Sequence, residues 1–194
     1  MGGWVRRVQT GPRRGFAAAV LALGVAAAVA QPQAVSDADL QSVRVLMGGA
    51  PGPALQRIAE LRLRADGLVQ LDRRLTLDEL ECRLQQDNDR PAARSVAERG
   101  AQEVARLGAR DVATRLAAWR LAACGAASAL DLGRIAQGSA ELERIIEATL
   151  SDPALQPALA MARLERGVYR SRRGDLIAGQ ADLLAACEAL AGPG

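Results

Sequence analysis

The sequence predicts an all-α protein made of antiparallel helical hairpins stacked side by side. Three observations carry this. Apolar residues recur every three or four positions along most of the chain. No segment alternates apolar and polar residues for long enough to form a strand. The chain is 49% hydrophobic but only 2% aromatic, so its core is built from Ala, Leu, Val and Ile. Such side chains suit close helix–helix packing, whereas a β-sandwich draws on β-branched and aromatic residues.

Residues 1–30 read as an export signal. Arg6, Arg7, Arg13 and Arg14 precede an uncharged Ala/Val/Leu run from Phe16 to Ala30. That run is shorter than the roughly 20 residues a membrane-crossing helix needs. Ala28-Val29-Ala30 has the small-x-small pattern of a cleavage site, which makes Gln31 the new N-terminus. A short cytosolic amphipathic arm is the competing reading, but the run has no polar face. Arg13-Arg14-Gly15-Phe16 resembles the twin-arginine export motif in part, and general secretory export fits equally. The expected location is periplasmic or secreted, with no membrane span in the mature chain.

The leader also explains the charge. Four of the 25 basic residues lie in it and none of the 22 acidic ones. The remainder is therefore close to neutral, and its arginines alternate with acids as on a solvated helical surface. The pI of about 9.2 gives no reason to expect nucleic-acid binding.

Past the leader the elements follow in order. Ser36 is placed to cap a helix that begins at Asp37 and carries Leu40, Val43 and Leu46 on one side. Gly48 to Pro53 breaks it, and Pro53 suits the first turn of a helix bearing Leu55, Ile58 and Leu61. The Gly/Pro stretch lacks the order of a phosphate loop, and its prolines donate no backbone N–H. Asp66-Gly67 marks a turn. Thr76-Leu77-Asp78-Glu79 resembles a capping box opening a helix through Leu80 and Cys82. Asp87 to Pro91 closes that helix and starts another, which stops at Gly108. Val112, Leu116, Trp119 and Ala123 form the next stripe. Leu142, Ile145, Ile146 and Leu150 form one that begins at Ser139. Asp152-Pro153 is a further stop and start, before Met161, Leu164 and Val168 and then Leu176, Leu183, Cys187 and Leu190.

Little catalytic chemistry is available. The chain has no histidine, which removes Ser–His–Asp and Cys–His catalysis and the usual zinc sites. It also has no lysine, hence no Schiff base and no P-loop. The carboxylate pairs Asp78/Glu79 and Glu79/Glu81 fall at expected helix ends or exposed faces, so the chain is not expected to be an enzyme or to hold a cofactor or metal. Cys82, Cys124 and Cys187 show no C-x-x-C spacing, and an odd number leaves at least one unpaired in an oxidising compartment. Each falls in a helical pattern, where a small buried hydrophobe outweighs a disulfide. Trp119, on an apolar stripe, reads as core before ligand cage.

An internal repeat is visible in the second half. Gly138-Ser139-Ala140-Glu141-Leu142 matches Gly179-Gln180-Ala181-Asp182-Leu183, and Leu121 to Gly125 matches Arg163 to Gly167, at an offset of about 41 or 42 residues. Gly125, Gly138, Gly167 and Gly179, with Leu183 and Ala186, sit where neighbouring helices should approach closely, and Gly174-Asp175 supplies the turn between the last two. Tyr169, Arg170 and Arg173 are the candidate groove contacts.

These residues resemble a tetratricopeptide-type hairpin, and the expected fold is a tetratricopeptide-like solenoid. The segment Leu164 to Cys187, together with Met47 to Leu61, is similar to the tetratricopeptide-like sensor region that precedes the GGDEF domain in some bacterial diguanylate cyclases. The residues divide the chain into 1–30 as signal peptide, 31–52 as an N-terminal helix and linker, 53–108 as degenerate hairpins and 109–194 as two tetratricopeptide-like hairpins. The resemblance implies a sensor that binds a protein or peptide, with no GGDEF signature in this chain and no catalytic residue to carry over. A stand-alone periplasmic scaffold or assembly factor is the alternative. Leu183, Leu184 and Leu190 leave an apolar last helix, which points to a homodimer through the C-terminal hairpin.

Overall fold

Helix caps written into the sequence set most of the boundaries seen in the computed structural model, which describes residues 34–65 and 69–191. Ala30, Gln31 and the Asp66-Gly67 turn lie outside the described residues. The helices are α1 (Asp37–Met47), α2 (Pro51–Arg64), α3 (Leu71–Asn88), α4 (Arg90–Leu107), α5 (Val112–Asp131), α6 (Ile135–Thr149), α7 (Gln156–Arg172) and α8 (Leu176–Ala191). A single 3-10 turn, Pro153–Leu155, precedes α7, and no strand occurs among the described residues. No described helix is long and apolar enough to cross a membrane.

Ser36 and Asp39 close a reciprocal capping box on α1, with bonds of 3.0 and 3.2 Å. The Ser36 backbone N–H on Asp39 holds that carboxyl at about 2, and Arg64 beside it acts in the same direction. Asp89, Asp111 and Asp152 accept from the backbone N–H groups of Ala92, Thr114 and Ala154, so each starts a new helical segment. Gly108 and Gly174 end α4 and α7 with φ of 79° and 89°, a left-handed geometry that costs glycine least.

Packing follows a simple order. The odd-numbered helices lie next to one another, α1 on α3, α3 on α5 and α5 on α7. Each of α2, α4 and α6 rests against the odd-numbered helices before and after it, and α8 packs on α7. Three apolar clusters fill the successive junctions. Val43, Ile58, Leu61 and Leu77 join α1 to α3. Leu75, Val96 and Leu121 join α3 to α5. Leu142, Ile145 and Leu159 join α5 to α7. The small residues permit the close approaches: a Cβ at Gly125 would stand 2.5 Å from Cβ of Ala97, and one at Gly138 would stand 2.7 Å from the Ala126 carbonyl. Gly167 and Gly179 face each other across α7 and α8, where a Cβ at Gly167 would meet the Gly179 carbonyl at 2.9 Å and Leu183 at 3.0 Å. Ala186 is buried in the same hairpin.

Several expectations are corrected. Thr76 to Glu79 does not open a helix but lies inside α3, where Thr76 donates to the Asp72 carbonyl at 2.8 Å. α3 is covered by α1, α2, α4 and α5, so Asp78 and Glu79 are 2% and 1% exposed rather than at the surface. α6 begins at Ile135, one turn before Ser139, because Gly133, with φ 78°, breaks the chain earlier. Cys82 and Cys124 are not free buried thiols. They form a disulfide between α3 and α5, a pairing that the helical pattern of either segment alone does not reveal. Cys187, by contrast, is exposed.

Candidate functional site

The buried carboxylates of α3 are the first place to look for chemistry, and their partners show what they do. Asp78 is bound by Arg62 of α2 and by Arg99 of α4, the latter at 3.1 Å. Glu79 is bound by Arg83 at 2.7 Å and by Arg120 of α5 at 2.9 Å. Each carboxylate is thus consumed in tying α3 to its neighbours. Among the described residues no group of His, Cys, Asp and Glu is placed to hold a metal ion.

Two concave regions stand out among the described residues. The first is a polar pocket of about 140 Å³ on the side formed by α3, α5 and α7. Gln86, Asp87, Asp131, Glu165, Tyr169 and Arg172 surround it. The hydroxyl of Tyr169 is buried and has no hydrogen-bond partner among the described residues. Burial pushes the Glu165 carboxyl up, while Arg83, 4.0 Å away, pulls it down. Arg172 reaches Asp131 at 3.5 Å. Of the three residues expected in a groove, only Tyr169 lines this pocket. Arg170 turns the other way, to Asp182 at 2.9 Å and Glu143 at 3.5 Å. Arg173 is exposed at the end of α7, where its backbone N–H caps the helix.

The second region is an apolar groove of about 340 Å³. α4 and α6 both rest on α5 without packing on one another, so α5 is left as a floor between them. Ala118, Trp119, Leu121 and Ala122 form that floor, and Ala97, Gly100, Ala101 and Val104 of α4 form a wall. Gly100 lets α4 sit on Leu121, whose methyl a Cβ would strike. Arg94 of α4 closes one end by a two-pronged contact with Glu141 of α6, at 2.7 and 3.0 Å, and by a bond to the Gly125 carbonyl at 3.0 Å. At the mouth the Arg144 guanidinium lies over the Trp119 ring, 5.3 Å from its centroid. Arg115, the other lining arginine, pairs with Asp152 at 3.4 Å. Trp119 therefore both packs against the α5–α7 cluster and lines an accessible surface.

The polar residues that line the pocket beside Tyr169, and the whole apolar groove, leave no distinct signal that sequence reasoning could read. The only local signal for the groove is the row of small residues on α4, which reads equally as ordinary helix contact. Comparison with protein-family models, curated proteins and solved structures returns no match. The functional reading therefore rests on the residues themselves.

Proposed function

We propose that the chain is an exported helical-repeat module of the tetratricopeptide-like kind that binds a protein or peptide partner, as the sensory input of a signalling protein. The observation that carries the reading is one repeat length seen twice. The second half of the sequence repeats at about 41 or 42 residues, and the disulfide joins neighbouring odd-numbered helices across a separation of 42. Gly138 and Gly179, equivalent in that repeat, each lie against the preceding helix. The disulfide also fits an oxidising compartment, as the leader-like N-terminal sequence requires. The partner is read by the α3–α5–α7 side, where Tyr169, whose hydroxyl has no hydrogen-bond partner among the described residues, lines a pocket of the size of one side chain. A diguanylate-cyclase setting follows from the sequence resemblance alone.

A photo-crosslinking amino acid at position 169, expressed in the exporting cell, tests this. A discrete adduct with a second protein from position 169, but none from the exposed control position Arg106, supports the reading. No adduct from position 169 counts against it.

A second reading, a scaffold that dimerises through its last hairpin, draws on α8. That helix rests on α7 and leaves Leu176, Ile177, Leu184 and Leu190 more than half exposed. Sedimentation of the wild type and of Leu184→Glu separates the two: a dimer lost in the variant favours the scaffold, and a monomer throughout rejects it.

A further inference from the structure

The geometry points to a second, distinct ligand site: we propose that the groove between α4 and α6 binds a single-chain carboxylate amphiphile, a medium-chain fatty acid. Its chain lies along the α5 floor and its carboxylate rests on Arg144.

Volume, lining and charge each narrow the occupant. A cavity of about 340 Å³ lies at the lower end of the range for small-molecule sites, and is too small for a packed helix. Apart from two arginines, its lining is made of Ala, Gly, Val, Leu and Trp side chains. A peptide or sugar laid along this floor would leave its own N–H, C=O or hydroxyl groups without partners, at a cost no apolar contact returns. An aliphatic chain has no such groups. Among the described residues no carboxylate lines the groove. Of the acids on α6, Glu141 is held by Arg94 at the closed end, Glu143 is engaged by Arg166, and Glu147, exposed one turn beyond Arg144, is not among the lining residues; Asp152 is engaged by Arg115. Arg144 contacts the Trp119 ring but makes no hydrogen bond or ion pair among the described residues. Its fork of N–H donors is therefore left for a carboxylate, which it matches in two-pronged geometry. The charge carried by the lining residues is positive, which suits a ligand with a negative head.

The test uses the full chain carrying Trp4→Phe, so that Trp119 is the sole tryptophan. Decanoate, kept below its micellar concentration, is titrated by calorimetry and by tryptophan emission. Saturable one-to-one binding that shifts the Trp119 emission is expected, with decyltrimethylammonium failing to compete. Arg144→Gln should weaken decanoate about tenfold or more while leaving decanol unchanged, and Arg144→Lys should restore part of the loss. Ala101→Leu, which fills the groove from the exposed side of α4, should abolish binding of both. Melting curves of each variant check that the fold is intact. Three results would overturn the proposal: no saturation by decanoate, equal binding of the cationic amphiphile, or an Arg144→Gln protein that binds decanoate as the parent does. Displacement of decanoate by peptides but not by other fatty acids would overturn it as well.

Discussion

Breaking the Cys82–Cys124 disulfide should remove a large part of the stability of the molecule. The bond closes a loop of 42 residues between α3 and α5. In the chain-entropy model, closing a loop of that length stabilises the folded state by about 4 kcal/mol at room temperature. For a chain of this size each kcal/mol moves the melting point by roughly 2–4 °C, so the reduced protein should melt some 8–16 °C lower. The comparison is best made on one sequence, with Cys187→Ser to prevent thiol exchange from the exposed position. Helical circular dichroism is followed on heating, with and without reductant. Both sulfurs are buried, with side chains 0% exposed, so reduction of the folded protein should be slow and should speed up in mild denaturant. Melting points that agree within about 2 °C, with thiol titration showing the reduced form fully reduced, would refute the entropic argument. Titration of the untreated, unfolded variant with reaction at both remaining cysteines would refute the bond itself.

Other substitutions probe the packing and the buried charges. Gly138→Ala should destabilise by about 1–2 kcal/mol despite the better helix propensity of alanine, because its Cβ would press on the Ala126 carbonyl at 2.7 Å. Gly52→Ala, with nothing within 4 Å, should be neutral or mildly stabilising, and equal urea midpoints for the two variants would contradict this. Glu79→Ala leaves Arg83 and Arg120 without their shared carboxylate and should cost about 3–5 kcal/mol; a urea-derived loss below about 1 kcal/mol would show the pair to be dispensable. Glu165→Gln should raise the melting point at neutral pH. Burial lifts the Glu165 carboxyl above its unfolded value, so the native state holds a proton that the unfolded chain releases, and stability falls as pH rises from the ordinary carboxylate range through the raised value. A variant that melts lower than the parent at neutral pH would reverse that sign.

Helix content was legible because the caps are local. Ser36 with Asp39, Asp89 ahead of Pro91, Asp111 ahead of Val112 and Gly174 before Asp175 each act within four residues. The misread of Thr76 to Glu79 has the same origin in reverse. A threonine followed by acids looks like a helix start until arginines from α2, α4 and α5 converge on those acids, and no local pattern announces them. The repeat spacing of about 41 or 42 residues was visible in Gly138 and Gly179, yet the same spacing between Cys82 and Cys124 went unused. The candidate sites were less legible still. Tyr169 could be named as a contact, but which neighbouring arginine shares its pocket depends on helix rotation, and that rotation favours Arg172 over Arg170 and Arg173. The groove beside Trp119 exists because α4 and α6 touch only through the Arg94–Glu141 pair and do not pack along their length, and missing packing leaves no pattern in a sequence.

Because the apolar interior is divided into three clusters, each confined to one junction between odd-numbered helices, the molecule should not open all at once. Amide protons of α8, which rests on α7, can exchange through an opening that leaves the α1–α3 junction closed. The segment between the two disulfide sulfurs exchanges last, since separating α3 from α5 is opposed by a covalent bond as well as by packing. Protection thus forms a gradient along the chain, steepest at its middle. A ligand that grips one junction slows exchange there and leaves the distant end as it was, so the exchange pattern itself reports where on the molecule a ligand has bound.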